Sequence, residues 1–158
     1  MKIKVISIAK QKFSSFQTAE EEYLKRCQRF AKIELSEINS SKLSKFQGLE
    51  LANREAELIT AKLNSNDFVI ALDEYGKQFS TMELKGTFEK LMQQSPNIVF
   101  IVGGPQGLAP DLLKRANLKL SLSKLTFTSE QSRMILIEQI YRVFSIIKGL
   151  PYHKGDLV

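Results

Sequence analysis

Apolar residues along this chain follow two periods, and the two alternate. Strand-like runs fall at 2–9, 33–38, 68–72, 98–102 and 118–122. In the first, Ile3, Val5 and Ser7 share one face and Lys4, Ile6 and Ile8 the other, the two-residue repeat of a pleated strand. Helix-spaced runs lie between them, over roughly 16–30, 49–63, 80–94, 110–116 and 130–148. Phe16, Ala19, Tyr23, Cys27 and Phe30 recur at three- and four-residue steps. Glu20, Glu21 and Glu22 lie toward that helix's start and Lys25, Arg26 and Arg29 toward its end, as the helix dipole favours. The second helix offers Ala52, Ile59 and Leu63 to the interior. Ser80 and Glu83 have capping-box spacing ahead of the third, and Pro110 opens the short fourth. The last carries Ile137, Ile140, Phe144 and Ile147 on one face, widened by Met134 and Tyr141, and Gly149 and Pro151 stop it. Strands alternating with helices predict a three-layer α/β fold with a mainly parallel sheet.

The run at 98–102 is unbroken and rich in β-branched residues, the pattern of a strand buried on both faces. GGPQG at 103–107 follows it, so the strand ends in a tight, specially shaped turn. Glycine lets backbone approach a ligand closely, and open α/β sheets bind ligands at the carboxyl ends of central strands. The alternative is a turn that only shapes the chain. No Lys-Ser/Thr pair follows the glycines, which argues against a phosphate loop. Two polar stretches read as connections: the basic 39–45, expected to be mobile, and 73–77, which closes the third strand around Gly76.

Length predicts a single domain over 1–158. A hydrophobic share of 43% and a charged share of 25% belong to an ordinary soluble globular chain. One cysteine, Cys27, excludes an intrachain disulfide framework and fills space on a helix. The opening MKIKVISIAK is too short and too charged for a signal peptide or membrane span, so a cytoplasmic location is expected. The net charge of +6 is unevenly spread. Residues 1–46 hold ten Lys/Arg against five acids, and 110–154 eight against three, whereas 47–109 hold five against eight. Basic ends around an acidic middle suit a polyanionic partner such as RNA; scattered solvating lysines are the alternative.

Four blocks in order carry a resemblance: VGGPQGL at 102–108, LSLSKLTF at 120–127, IEQIYRVFSI at 137–146 and PYHK at 151–154. Together they resemble the RlmH family of SPOUT-class methyltransferases, over essentially the whole chain. The resemblance implies a C-terminal trefoil knot, an obligate homodimer with sites near the subunit interface, and S-adenosyl-L-methionine as cofactor. The implied reaction is methylation of N3 of a pseudouridine in the 23S ribosomal RNA of assembled ribosomes. The wide stripe of the last helix is consistent with an interface, or with ordinary core.

Carried over position by position, the resemblance places cofactor contacts at Leu72, Gly103, Leu122, Ser123, Lys124, Leu125, Thr126 and Phe127. Leu72, Leu122, Leu125 and Phe127 could wall an adenine ring, or simply pack in the core. Methyl transfer from a sulfonium requires neither metal nor covalent intermediate, so in-line positioning carries most of the catalysis. The acceptor imide must still lose a proton. His153 is the only histidine and the family match makes it the catalytic candidate; otherwise it is an exposed tail residue. Tyr152 is placed to stack on or orient the base. Arg142 and Lys154 are candidate RNA contacts, although Glu138 stands one turn before Arg142.

The chain departs from the family at Thr128 and Ser129, where relatives read proline–histidine, at Ser132, usually apolar, and at Gln106. Thr128 and Gln131 have capping-box spacing that replaces proline at the helix start. These departures keep a second reading open, a non-catalytic RNA- or ribosome-binding protein on the same fold.

Overall fold

The centre of the molecule is the run that the sequence marks as doubly buried. Residues 98–102 lie in strand β4 (Asn97–Val102) and none exceeds 2% exposure. The computed structural model describes residues 1–8, 10–95 and 97–154. β4 pairs in parallel with β1 (Lys2–Ser7) on one side and β3 (Phe68–Gln78) on the other. Outside these lie β2 (Lys32–Glu37) and β5 (Leu118–Ser121), giving the order β2-β1-β4-β3-β5 with every pairing parallel. Ala9, the last residue of the strand expected over 2–9, lies outside the described residues.

Alternation along β4 divides the core in two, as a pleated strand must. Ile98, Phe100 and Val102 face a layer made by α1 (Ser14–Cys27), α3 (Thr81–Gln94) and α5 (Ser129–Ile147). Val99 and Ile101 face α2 (Gly48–Thr60) and α4 (Pro110–Arg115). The three-layer expectation therefore holds, with Ile3 and Val5 on the first side and Ile6 and Ile8 on the second. Cys27 is fully buried, and burial pushes its thiol up to about 12. Among the described residues, no helix is long and apolar enough to cross a membrane.

Local chemistry explains where the helices begin. Ser80 and Glu83 form the expected reciprocal cap, and so do Thr128 and Gln131. α1 differs from expectation. It starts at Ser14 with no acid in its first turn, so Glu20 to Glu22 lie mid-helix and do not serve the dipole there. Glu20 is buried instead. The basic end survives in Lys25 and Arg26, with Arg29 beyond the helix. The connection at 39–45 contains one 3-10 turn, Ser41–Leu43.

The largest departure is in β3. The polar stretch 73–77 does not close that strand; pairing with β5 resumes at its last residue, Lys77. Leu72 and Lys77 both stand opposite Leu120, so the residues between them bulge outward. Tyr75, on the bulge, is 88% exposed. Gly76 permits the pairing, because a Cβ there would stand 2.7 Å from the Lys119 carbonyl carbon. The same glycine that suggests a turn is a point of close backbone approach.

This contact is testable. Gly76→Ala should destabilise the fold by about 1–3 kcal/mol or more, as expected for overpacking against unyielding backbone. Gly86→Ala, within α3 and facing open space, should instead be stabilising by about 0.5–1 kcal/mol. Urea unfolding of both variants checks the contrast.

Candidate active site

The carboxyl ends of β1, β4, β3 and β5 open onto one cleft of about 1370 Å³. Leu72 follows the regular part of β3, Gly103 and Gly104 follow β4, and Leu122 to Phe127 follow β5. Ile8, Ile38, Glu55 and the first turn of α5 complete the walls. Space of this size accommodates a nucleoside-sized ligand.

The glycine turn is held by its own backbone. Gly107 N–H donates to the Gly104 carbonyl at 3.0 Å, and Gly107 adopts φ +74. Gly103 has no positive φ, but a Cβ there would stand 3.0 Å from the Gly107 carbonyl. Substitution at Gly103 would thus distort the turn before it obstructed any ligand. The loop after β5 is shaped by polar contacts. Ser121 Oγ donates to the Ser123 carbonyl at 2.9 Å, Leu125 N–H donates to Ser123 Oγ at 3.1 Å, and Thr126 Oγ1 donates to Glu74 Oε2 at 2.9 Å. Leu125 presents an apolar side chain to the cleft while 70% exposed.

A second cluster sits on α1, α5 and the tail, and none of its residues lines the cleft. Glu138 Oε1 accepts from Arg142 Nη2 at 2.6 Å and from the Tyr152 hydroxyl at 2.9 Å. Tyr152 also shares a hydrogen bond with the Tyr23 hydroxyl at 2.9 Å, and Arg142 lies over its ring at 4.8 Å. Burial, then the bonds to Tyr23 and Glu138, raise the Tyr152 phenol well above its ordinary range. Arg142 Nη1 stands 3.3 Å from His153 Nδ1. A guanidinium only donates, so this contact is a hydrogen bond in the tautomer whose Nδ1 is bare and whose Nε2 bears the hydrogen.

Comparison with known proteins gives the family. A family model described as predicted SPOUT methyltransferase matches residues 1–153. The chain belongs to the SPOUT methyltransferase family. It is 42% identical over 153 residues to the ribosomal RNA large subunit methyltransferase H of Caldicellulosiruptor saccharolyticus, covering 96% of this chain and 99% of that protein. Similarity to the proteins of the same name from Clostridium beijerinckii and Enterococcus faecalis is 41% and 38% identity over 159 residues. Both alignments cover 98% of this chain and 100% of the relative.

Of the residues expected at the SPOUT cofactor site, Leu72, Gly103, Leu122, Ser123, Leu125, Thr126 and Phe127 converge on the cleft. Lys124 is exposed and is not among its lining residues. Tyr152, His153 and Arg142 form one group of their own, and Lys154 follows them exposed at the tail. Arg142 pairs with Glu138, the alternative raised by their spacing.

Two functional features escape sequence reading. Glu55, on α2 against the glycine turn, is one; Arg133 is the other. Arg133 donates from Nε and Nη2 to both oxygens of Glu20, at 2.9 and 2.7 Å, and from Nη1 to Glu37 at 2.7 Å. Its side chain and that of Glu20 are each 2% exposed. The pair locks the first turns of α5 to α1 and β2, beside the cleft wall formed by Glu37, Glu130 and Ser132. Arg133→Met should therefore be destabilising by about 3–5 kcal/mol, because it leaves Glu20 buried without its partner. Equilibrium unfolding in urea measures the loss, and a change under 1 kcal/mol would contradict it.

Proposed function

We propose that the protein is an S-adenosylmethionine-dependent methyltransferase that modifies N3 of a pseudouridine in large-subunit ribosomal RNA, acting as a homodimer. The observation that carries this reading is the convergence of seven of the eight expected cofactor residues on one cleft. The names of its near-full-length relatives supply the substrate class. The reading brings with it the trefoil-knotted C-terminal segment of the SPOUT class. Basic residues at the rim, Lys10 and Lys12, favour a polyanion.

The residues present fit the cofactor. Leu72, Leu122 and Leu125 offer apolar walls to an adenine ring, the glycine turn offers close backbone, and Glu55 offers an unpartnered carboxyl. When bound, S-adenosylmethionine supplies an activated methyl group. The chain's own task is then to hold the acceptor nitrogen in line and to stabilise the imide anion left when its proton passes to solvent.

Cleft and tail cluster lie apart within one chain, so the partner's tail is assigned to complete the site. In the tautomer that accepts from Arg142, His153 bears its hydrogen on Nε2, which suits a donor that orients the base and stabilises the charge developing on its carbonyl oxygens. Arg142 and Glu138 fix the ring, while Tyr152 braces the group. Arg142 and Lys154 supply the positive charge toward RNA.

Methylation of ribosomes followed by nucleoside mass spectrometry tests the reading. The wild type should yield N3-methylpseudouridine; a product on another nucleoside, or none, would defeat it. His153→Ala should slow transfer roughly 10²–10³-fold, the cost of losing one donor aimed at developing charge. Its cofactor affinity should stay within threefold of wild type in calorimetry. Near-normal turnover would return His153 to an ordinary tail residue.

A further inference from the structure

Glu55 lies on the inward face of α2 with Ala52 and Ile59, and is 4% exposed. Its carboxyl abuts the glycine turn. A Cβ on Gly104 would stand 3.1 Å and 3.2 Å from the two carboxyl oxygens, and 3.3 Å from Ile8 Cγ2. Any other residue at 104 would push against this carboxyl. Among the described residues, Oε2 is buried without a hydrogen-bond partner. Burial alone pushes the carboxyl above its ordinary range, with no cation contributing.

Other carboxylates lining the cleft have partners. Glu37 pairs with Arg133, Glu130 with Lys12, and Glu74 accepts from Thr126. Leaving a buried acceptor unsatisfied is costly, and such groups in native proteins call for an explanation. A ligand that brings the missing donor provides one.

The sheet order indicates which part of the ligand that is. Leu72 and the loop at 122–127 follow β3 and β5, on one side of β4. Glu55 meets Ile8 and Gly104, on the β1 side. A ligand whose adenine sits among the leucines and crosses the turn at Gly103 and Gly104 brings its opposite end to Glu55. In S-adenosylmethionine that end is an amino acid bearing an ammonium. We propose that Glu55 receives this α-ammonium and so selects nucleosides carrying a cationic amino-acid chain. The inference rests on reading the cleft as the S-adenosylmethionine site.

Calorimetric titration of the full-length protein tests it, using four ligands. Methylthioadenosine lacks both the amino-acid end and the sulfonium charge, and decarboxylated S-adenosylmethionine keeps the sulfonium and the amine but not the carboxylate. S-adenosylhomocysteine, which keeps the amino acid without the sulfonium, should follow the other amine-bearing ligands. The wild type should bind S-adenosylmethionine and its decarboxylated form at least roughly 10-fold more tightly than methylthioadenosine, as expected for a charge-assisted hydrogen bond. Glu55→Gln should weaken the amine-bearing ligands roughly 10- to 100-fold and leave methylthioadenosine within about threefold. The ligand-free variant should melt no lower than wild type, since a neutral amide relieves the buried carboxyl. Equal weakening of all four ligands, or a lowered melting temperature, would overturn the proposal in favour of a structural role. Unchanged S-adenosylmethionine affinity with lost methylation would overturn it too, moving Glu55 to the RNA-facing side. A wild type that binds S-adenosylmethionine but prefers methylthioadenosine refutes the ammonium contact without any variant. One that binds neither refutes the cofactor reading itself.

Discussion

β4 constrains everything around it. It is hydrogen-bonded on both edges and covered by apolar side chains on both faces. A strand so enclosed has no route out except along its own axis, where it must turn without adding bulk. Gly103, Gly104 and Gly107 make that turn, with the Gly107 N–H returning to the Gly104 carbonyl. Because neighbouring strands are parallel, their carboxyl ends arrive at the same rim. The cleft is therefore a consequence of sheet topology, and the glycines set how closely other groups approach it. Glu55 uses that allowance at Gly104, and Lys119 of β5 uses a comparable one at Gly76.

Beyond the sheet, polar interactions give α5 its position. Thr128 and Gln131 cap its start, and Arg133 ties the next turn to Glu20 and Glu37. A buried ion pair is weak support for stability compared with apolar packing, but it fixes register strongly because misplacement strands a charge. That distinction matters here, since α5 leads both from the loop after β5 and into the tail that carries His153. The family departure at Thr128 costs no helix cap: hydroxyl and amide provide it. Ser132 lines the cleft in a part-buried position.

Much of this was legible in residue order because the signals are local. Two-residue and three-to-four-residue periods, with one unbroken apolar run for β4, mark the strands and helices, and capping pairs locate the starts of α3 and α5. Failures came where distant segments decide. Residues 73–77 read as a turn, yet pairing with β5 carries the strand past them. Glu20 and Arg133 each stand on the apolar stripe of their helix, four residues after Phe16 and four before Ile137, but their pairing spans more than a hundred positions and no local period shows it. Glu55 stands three residues after Ala52 and four before Ile59, on the inward face that leaves Glu57 outside, but no local signal shows that its carboxyl meets the turn at Gly104. Residue resemblance placed seven cleft residues together, while Lys124 shows that a contact register does not fix a side chain's direction. The separation of His153 from the cleft was also invisible, since it depends on where the tail docks.

That separation is what motivates the proposal that one protomer supplies the cleft and its partner the tail. Co-expression of two differently tagged variants tests it directly. Leu125→Arg places a cation in the cleft at an exposed position, and His153→Ala removes the tail donor. Each homodimer should be nearly inactive on ribosomes. A random mixture should recover about a quarter of wild-type turnover, because half of the dimers are mixed and each holds one intact site of two. The purified mixed dimer should recover about half, by the same symmetry. A mixed dimer no more active than either parent would contradict the account and place the complete site within a single chain.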